Sequence, residues 1–288
     1  MRIIVPIKQV PETHAVRMDE ATGTIVREGV ESIVNPLDLY AIEAALTLGK
    51  RLADRGADDP VHVTALSMGP PSADRALREA ISMGVDDAVL LTDKAFAGSD
   101  TWATSYALAA AIRRIGTGSC CPQRNEGKPC LSSSSLVVCG ERATDGDTGQ
   151  VGPGIAAFLG APVLTYVGGI DAVEDRRIRV RRLVEAGHEL LEAELPCVLT
   201  VVKEIGAPRL PTLRGKQRAK RAEVPRWSAE DLGIDPDKVG LGGSPTRVVK
   251  IFRPKVAREC ELLPAGNDAE LTAAAERFAA FVDRGRDG

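Results

Sequence analysis

Short β-branched runs alternate with amphipathic segments over the first two thirds of the chain. Residues 2–7, 61–67, 88–92, 136–139 and 163–167 are near-continuous apolar stretches of strand length, as expected of strands buried on both faces. Between them, 37–55 places Leu39, Ile42, Ala45, Leu46, Leu48 and Leu52 at helical spacing, with Asn35 as N-cap and Pro36 at the first helical position. Segments 72–83 and 101–115 repeat that pattern, and Gly84 and Gly116 supply stop signals. Alternation of this kind predicts an α/β fold, an open and mainly parallel sheet with helices on both faces.

After Val167 the pattern changes. Two extended runs, 176–183 and 188–195, flank a turn at 184–187 and predict a β-hairpin. A further strand, 197–202, leads into 203–213, where Pro208 and Pro211 forbid regular structure. Then come a basic run at 214–226, a Gly/Pro-rich stretch at 233–245 and an Ala-rich helix near 269–282. The expected division is a nucleotide-binding α/β domain at 1–202, followed by a loop and an extended C-terminal arm at 203–288. Residues 116–135 interrupt a helix-to-strand connection that needs only a few residues and read as an inserted Cys/Ser loop. Its Cys120, Cys121 and Cys130 lack the spacing of a zinc or iron–sulfur site, so no metal is expected.

Composition narrows the function classes. A chain of 288 residues with net charge -3 has no overall pull towards nucleic acid or an anionic membrane, and aromatics at 3% offer few stacking platforms for single strands. No apolar run approaches the roughly 18 to 20 residues that span a bilayer. The chain opens on an apolar strand with no charged leader or cleavage site, and its six cysteines form no disulfide framework. These features predict a cytoplasmic protein with reduced thiols. His14, His62 and His188 are scattered, with neither metal spacing nor a nucleophile pattern, and no catalytic residue is assigned.

The candidate chemistry lies in 141–154, ERATDGDTGQVGPG, where a strand should hand over to a helix near Thr148 or Pro153. The EF-hand reading fails, because Gln150 stands at the sixth loop position and Ala156 at the twelfth. Walker and dinucleotide fingerprints are absent. Open parallel sheets bind ligands at strand carboxyl ends, and a helix N-terminus attracts phosphate. On that reading Thr148 and Gln150 bond the anion, while Gly146, Gly149 and Gly152 let the backbone approach. Asp145 and Asp147 then serve ribose hydroxyls or loop amides. The alternative is that both aspartates close turns and Thr148 caps a helix.

These residues resemble the β subunit of electron-transfer flavoproteins over nearly the whole chain outside 116–135. Residues 5–11 (VPIKQVP) look like the opening strand and loop, 35–38 (NPLD) with Glu43 like the nucleotide-contacting helix start, and 68–70 (MGP) like a Gly-Pro turn. Residues 180–200 resemble the family signature, departing at Ala186. The resemblance implies a Rossmann-like sheet and nucleotide contacts from Pro6, Asn35, Leu37, Asp38, Met68, Ala143, Thr144, Asp145, Gly146, Asp147, Thr148, Gly149, Gln150, Val151, Gly152 and Pro153. Carriers in this family read D-D-D in the loop and hold AMP. Asp145-Gly146-Asp147 looks like the electron-bifurcating branch, whose β subunit holds FAD.

That branch implies an electron carrier active only with an α subunit. Hydride from NADH would pass to FAD, one electron going to the α-subunit flavin and a flavin-dependent dehydrogenase, the other to ferredoxin or flavodoxin. Segment 203–213 matches the loop that docks on dehydrogenases, and the arm would embrace the α subunit. Two rivals remain: a carrier subunit with structural AMP, and a nucleotide-binding sensor of the universal-stress type, which leaves the hairpin and the arm unexplained.

Overall fold

In a computed structural model of the chain, the described residues are 1–12, 17–18, 25–26, 32–55, 60–116, 135–174, 176–249 and 262–284. The strands are β1 (Arg2–Pro6), β2 (Gln9–Pro11), β3 (Arg17–Met18), β4 (Ile25–Val26), β5 (Ser32–Val34), β6 (His62–Met68), β7 (Asp87–Leu91), β8 (Ser135–Gly140), β9 (Val163–Glu174), β10 (Arg177–Val184), β11 (Gly187–Glu194), β12 (Cys197–Val201) and β13 (Arg226–Trp227). The helices are α1 (Pro36–Asp54), α2 (Asp74–Met83), α3 (Thr101–Gly116), α4 (Val151–Leu159), α5 (Leu213–Arg221) and α6 (Asp268–Arg284). The Cys/Ser insertion, with Cys120, Cys121 and Cys130, lies outside the described residues apart from its two ends.

Nine strands form one sheet in the order β11-β10-β9-β12-β8-β1-β6-β7-β13. From β13 to β9 every pairing is parallel, and only the β9–β10 and β10–β11 pairings are antiparallel. The chain builds outwards from β1 through β6 to β7, then crosses to the other side of β1 to lay down β8 and β12. The direction of winding therefore reverses between β1 and β8, the place where open α/β sheets form a ligand crevice.

Alternation along β1 explains the layers. Ile3 and Val5 point into an apolar layer with Ile42 and Ala45 of α1 and Leu77 and Ile81 of α2. Ile4 faces the opposite layer, with Ile112 of α3 and Ile155 of α4. A strand apolar on both faces needs a helix on each, which the near-continuous hydrophobic runs had anticipated.

Strand β9 and helix α4 have bounds other than the sequence expectation, and α5 and β13 form where only a basic run was expected. Strand β9 runs through Glu174 instead of stopping at Val167, because its pairing with β12 slips between Leu199 and Val201 and Tyr166 takes a positive φ of 55°. That irregularity turns the strand out of the parallel sheet and into an antiparallel ribbon with β10 and β11. The ribbon's outer pairing carries an Arg–Glu ladder, with Arg177 and Arg179 on Glu192 at 3.1 and 3.2 Å and Arg182 on Glu189 at 3.4 Å. Helix α4 starts at Val151, between the two starts considered, and ends at Gly160 in the left-handed conformation with φ 65°.

Residues 203–249 pack on the sheet and its helices. Arg78 of α2 donates to the carbonyls of Ala219 and Ala222, and Arg218 of α5 donates to Ile81 O at 2.9 Å. These bonds satisfy carbonyls at the ends of both helices. Strand β13 then extends the sheet beyond β7. Contacts divide the chain into Met1–Val249 and a second unit, Lys250–Gly288, whose helix α6 exposes Leu271, Phe278 and Phe281. Among the described residues no helix is long and apolar enough to cross a membrane.

Candidate functional site

The carboxyl ends of β1 and β8 meet the start of α1 at the crevice. Asn35 was expected to cap α1, but its side chain makes no capping bond. Instead its Nδ2 donates to Arg142 O at 2.9 Å and its Oδ1 accepts from the Thr144 amide at 3.2 Å. A fully buried amide thus stitches the helix start to the loop after β8. Two hydrogen bonds across a long sequence separation fix that loop more firmly than a cap would fix the helix, whose first position Pro36 has no N–H to satisfy.

Asp38, in the first turn of α1, is 6% exposed. Its Oδ2 accepts the Lys8 amide at 2.7 Å, and its Oδ1 lies where a Cβ on Gly140 would come within 2.4 Å. Burial pushes the carboxyl up to about 7, against the opposing pull of the Lys8 amide and Asn35. Lys8 in turn reaches Asp145 with both Nζ–O distances at 2.7 Å. Asp147 sits at φ 50°, its amide donates to Ala143 O at 2.8 Å, and its carboxylate lies 3.1 Å from Arg142. Both loop acids are therefore paired with cations and hold the loop closed.

Beyond them the backbone is open. The amides of Thr148, Gly149, Gln150, Val151 and Gly152 meet no acceptor among the described residues, and they run into the N-terminus of α4. A row of free amides at a helix start is the physical definition of an anion site. Close packing sets the direction of that row. A Cβ on Gly152 would come within 2.5 Å of Thr200 Cγ2, and one on Gly154 within 2.4 Å of Ser105 Oγ, so only glycine lets α4 lie this near β12 and α3. Gln150 is steered by Thr101, whose Oγ1 donates to Gln150 Oε1 at 2.8 Å. A Cβ on Gly146 would meet nothing within 4 Å.

Pro6 ends β1 and Met68 ends β6, on the same edge as residues 143–153. Leu37 contributes backbone, since its carbonyl lies 2.9 Å from a Cβ built on Gly140. All the sequence-predicted residues thus gather at one edge of the sheet. Sequence reasoning missed Lys8, Gly140, Arg142 and Thr101. Lys8 carried a signal, since it follows the first strand directly, while the others become visible only when distant segments meet.

A family model described as the electron transfer flavoprotein domain matches residues 22–232. An electron transfer flavoprotein subunit beta from Megasphaera elsdenii is 44% identical over 254 residues, covering 88% of both chains. The chain belongs to the electron-transfer flavoprotein beta-subunit family. Within that family it is 43% identical to the caffeyl-CoA reductase-Etf complex subunit CarD of Acetobacterium woodii, covering 88% of each chain. It is also 46% identical to protein FixA of Azorhizobium caulinodans, over 90% of this chain and 86% of the other. Membership of a flavoprotein-associated family accords with a crevice that presents free backbone amides at a helix start.

Proposed function

We propose that this chain is the beta subunit of a heterodimeric, cytoplasmic electron-transfer flavoprotein that binds FAD in the crevice between β1 and β8. The observation that carries the reading is the row of unpartnered amides from Thr148 to Gly152 beside Gly146, whose missing side chain has no packing reason within the fold. The amides and the α4 dipole receive phosphate, and the space beside Gly146 admits a second phosphate and the rest of a dinucleotide. Pro6, Met68 and residues 143–153 form the walls, with Asn35, Leu37 and Asp38 as the floor. FAD held there would supply hydride acceptance from NADH and passage of electrons to two acceptors. The chain's own residues bind and orient it.

Similarity to a subunit named for a reductase–Etf complex supports an assembly of the bifurcating kind. Its acceptors would be the flavin of an α subunit with a flavin-dependent dehydrogenase, and ferredoxin or flavodoxin. Loop 203–213 suits docking, because Leu210 and Leu213 are 85% and 82% exposed. The apolar residues of α6 suit burial against the α subunit.

Purification with the α subunit, followed by nucleotide extraction, tests this reading. Two FAD per heterodimer with NADH-dependent bleaching is the expected result. One FAD and one AMP would make the chain a scaffold and docking module instead. Absence of any nucleotide from the beta site would overturn both.

A further inference from the structure

The floor of the crevice contains a carboxyl, Asp38, whose part in the site goes beyond lining it. Asp38 is buried; its Oδ2 accepts the Lys8 amide, and its Oδ1 occupies the space that a side chain on Gly140 would need. Lys8 carries the connection outwards to Asp145 at the loop surface. One residue therefore spans from the start of α1 to the ends of β1 and β8 and, through Lys8, to the phosphate loop.

We infer that Asp38 is a positioning residue of the phosphate loop, acting through the backbone of Lys8. The inference rests on the nucleotide reading above. Its physical basis is that a side chain at Gly140 would meet Asp38, and that the Lys8 backbone, whose Nζ reaches Asp145, is held by Asp38 at its amide and by the Asn35 amide at its carbonyl, at 2.7 and 2.8 Å. The ionisable groups around Asp38 are Lys8, Asp145 and the Cys139 thiol, with Asn35 as a neutral donor. Its carboxyl, raised by burial to about 7, changes charge near neutrality. A bound diphosphate adds negative charge nearby and favours the protonated form, so binding is accompanied by proton uptake.

The test is FAD titration of the nucleotide-stripped full-length chain, with any subunit that co-purifies, between pH 6 and pH 8. The diphosphate ester of FAD does not titrate in this range. Binding is expected to weaken towards high pH, by up to about tenfold for each unit by which the bound diphosphate raises the carboxyl's pKa. Asp38→Asn, which keeps an acceptor for the Lys8 amide, is expected to bind FAD with a flat pH profile. Lys8→Met, with Asp38 intact, is expected to weaken binding while keeping the pH dependence. Independently of any variant, calorimetry of the wild-type chain at pH 7 in buffers of different ionisation enthalpy should register net proton uptake. A flat wild-type profile, an undiminished slope in Asp38→Asn, or zero proton uptake would overturn the inference and leave the nucleotide site standing. No FAD binding by the wild-type chain at any pH would instead overturn the nucleotide reading beneath it.

Discussion

Arg209 and Glu43 clasp each other across the molecule: Nε and Nη2 of the arginine lie 2.7 and 2.9 Å from the carboxylate, which also accepts the Arg209 amide at 3.0 Å. Glu43 projects from α1, the helix whose first turn lines the crevice, so loop 203–213 is tied to the element that carries the site's floor. Arg209→Ala is expected to speed tryptic cleavage at Lys203 several-fold. Because Arg209 is partly solvated, the loss of global stability should be only about 1 kcal/mol, read by denaturant unfolding.

The same pair gives an acid dependence. Burial pushes the Glu43 carboxyl up, but its bonds to Arg209 and Thr47 prevail and hold it below the ordinary glutamate range. Its contribution is present above the unfolded glutamate pKa and is lost as pH falls through the lower folded value. Tryptic cleavage of the loop after an acid pulse should therefore rise in wild type, and Glu43→Gln should show the faster cleavage already at neutral pH.

Asp38 predicts the opposite slope. Its folded carboxyl is raised from 3.8 to about 7, so between those values the folded chain holds a proton that the unfolded chain has lost. Stability from this group is full below the unfolded pKa and declines as pH rises to about 7. Unfolding measured at intervals across that window should show wild-type stability falling relative to Asp38→Asn.

Two glycines of the same loop should behave differently. At Gly152 a new methyl would meet Thr200 Cγ2, and Thr200 cannot turn away freely because its Oγ1 accepts the Tyr166 amide at 3.2 Å. Gly152→Ala should cost about 1–3 kcal/mol. At Gly146 there is open space, so Gly146→Ala should stay within about 0.5 kcal/mol of wild type, while weakening FAD binding. Thermal melts and FAD titration of the two variants separate packing from ligand clearance.

Cys139 and Cys197 are both buried, and burial raises both thiols, Cys197 to about 12. Neither should react with iodoacetamide in the folded chain at pH 8, whereas both should label fully once it is denatured. Mass spectrometry of the labelled peptides reads the difference directly.

The layered sheet was legible because a strand buried on two faces must be apolar throughout, as residues 3–5 and 136–138 are. Helix α1 was equally plain from its spacing and Pro36. The role of Asn35 was not legible: the same residue type caps helices, and only the return of the chain at Arg142 and Thr144, more than a hundred residues later, offers its side chain better partners. The loop acids were open to two readings for a similar reason. Lys8 faces Asp145 only once the sheet brings β1 beside β8, whereas Arg142 and Asp147 meet within the loop itself. The length of β9 was hidden because its far half gains its partner from β10, and strand-forming pressure from a later segment leaves little mark on local hydrophobicity.

The ladder of arginines and glutamates along β10 and β11 lies at the sheet's long open border. A strand from another molecule seeking those backbone groups would meet fixed, alternating charges at Arg177, Glu192, Arg179 and Glu189 that it would have to desolvate or match. At the opposite border β13 is only two residues long and gives little to template. The sheet is thus guarded against growing at either end, so that its strands offer no template along which copies of the chain could polymerise.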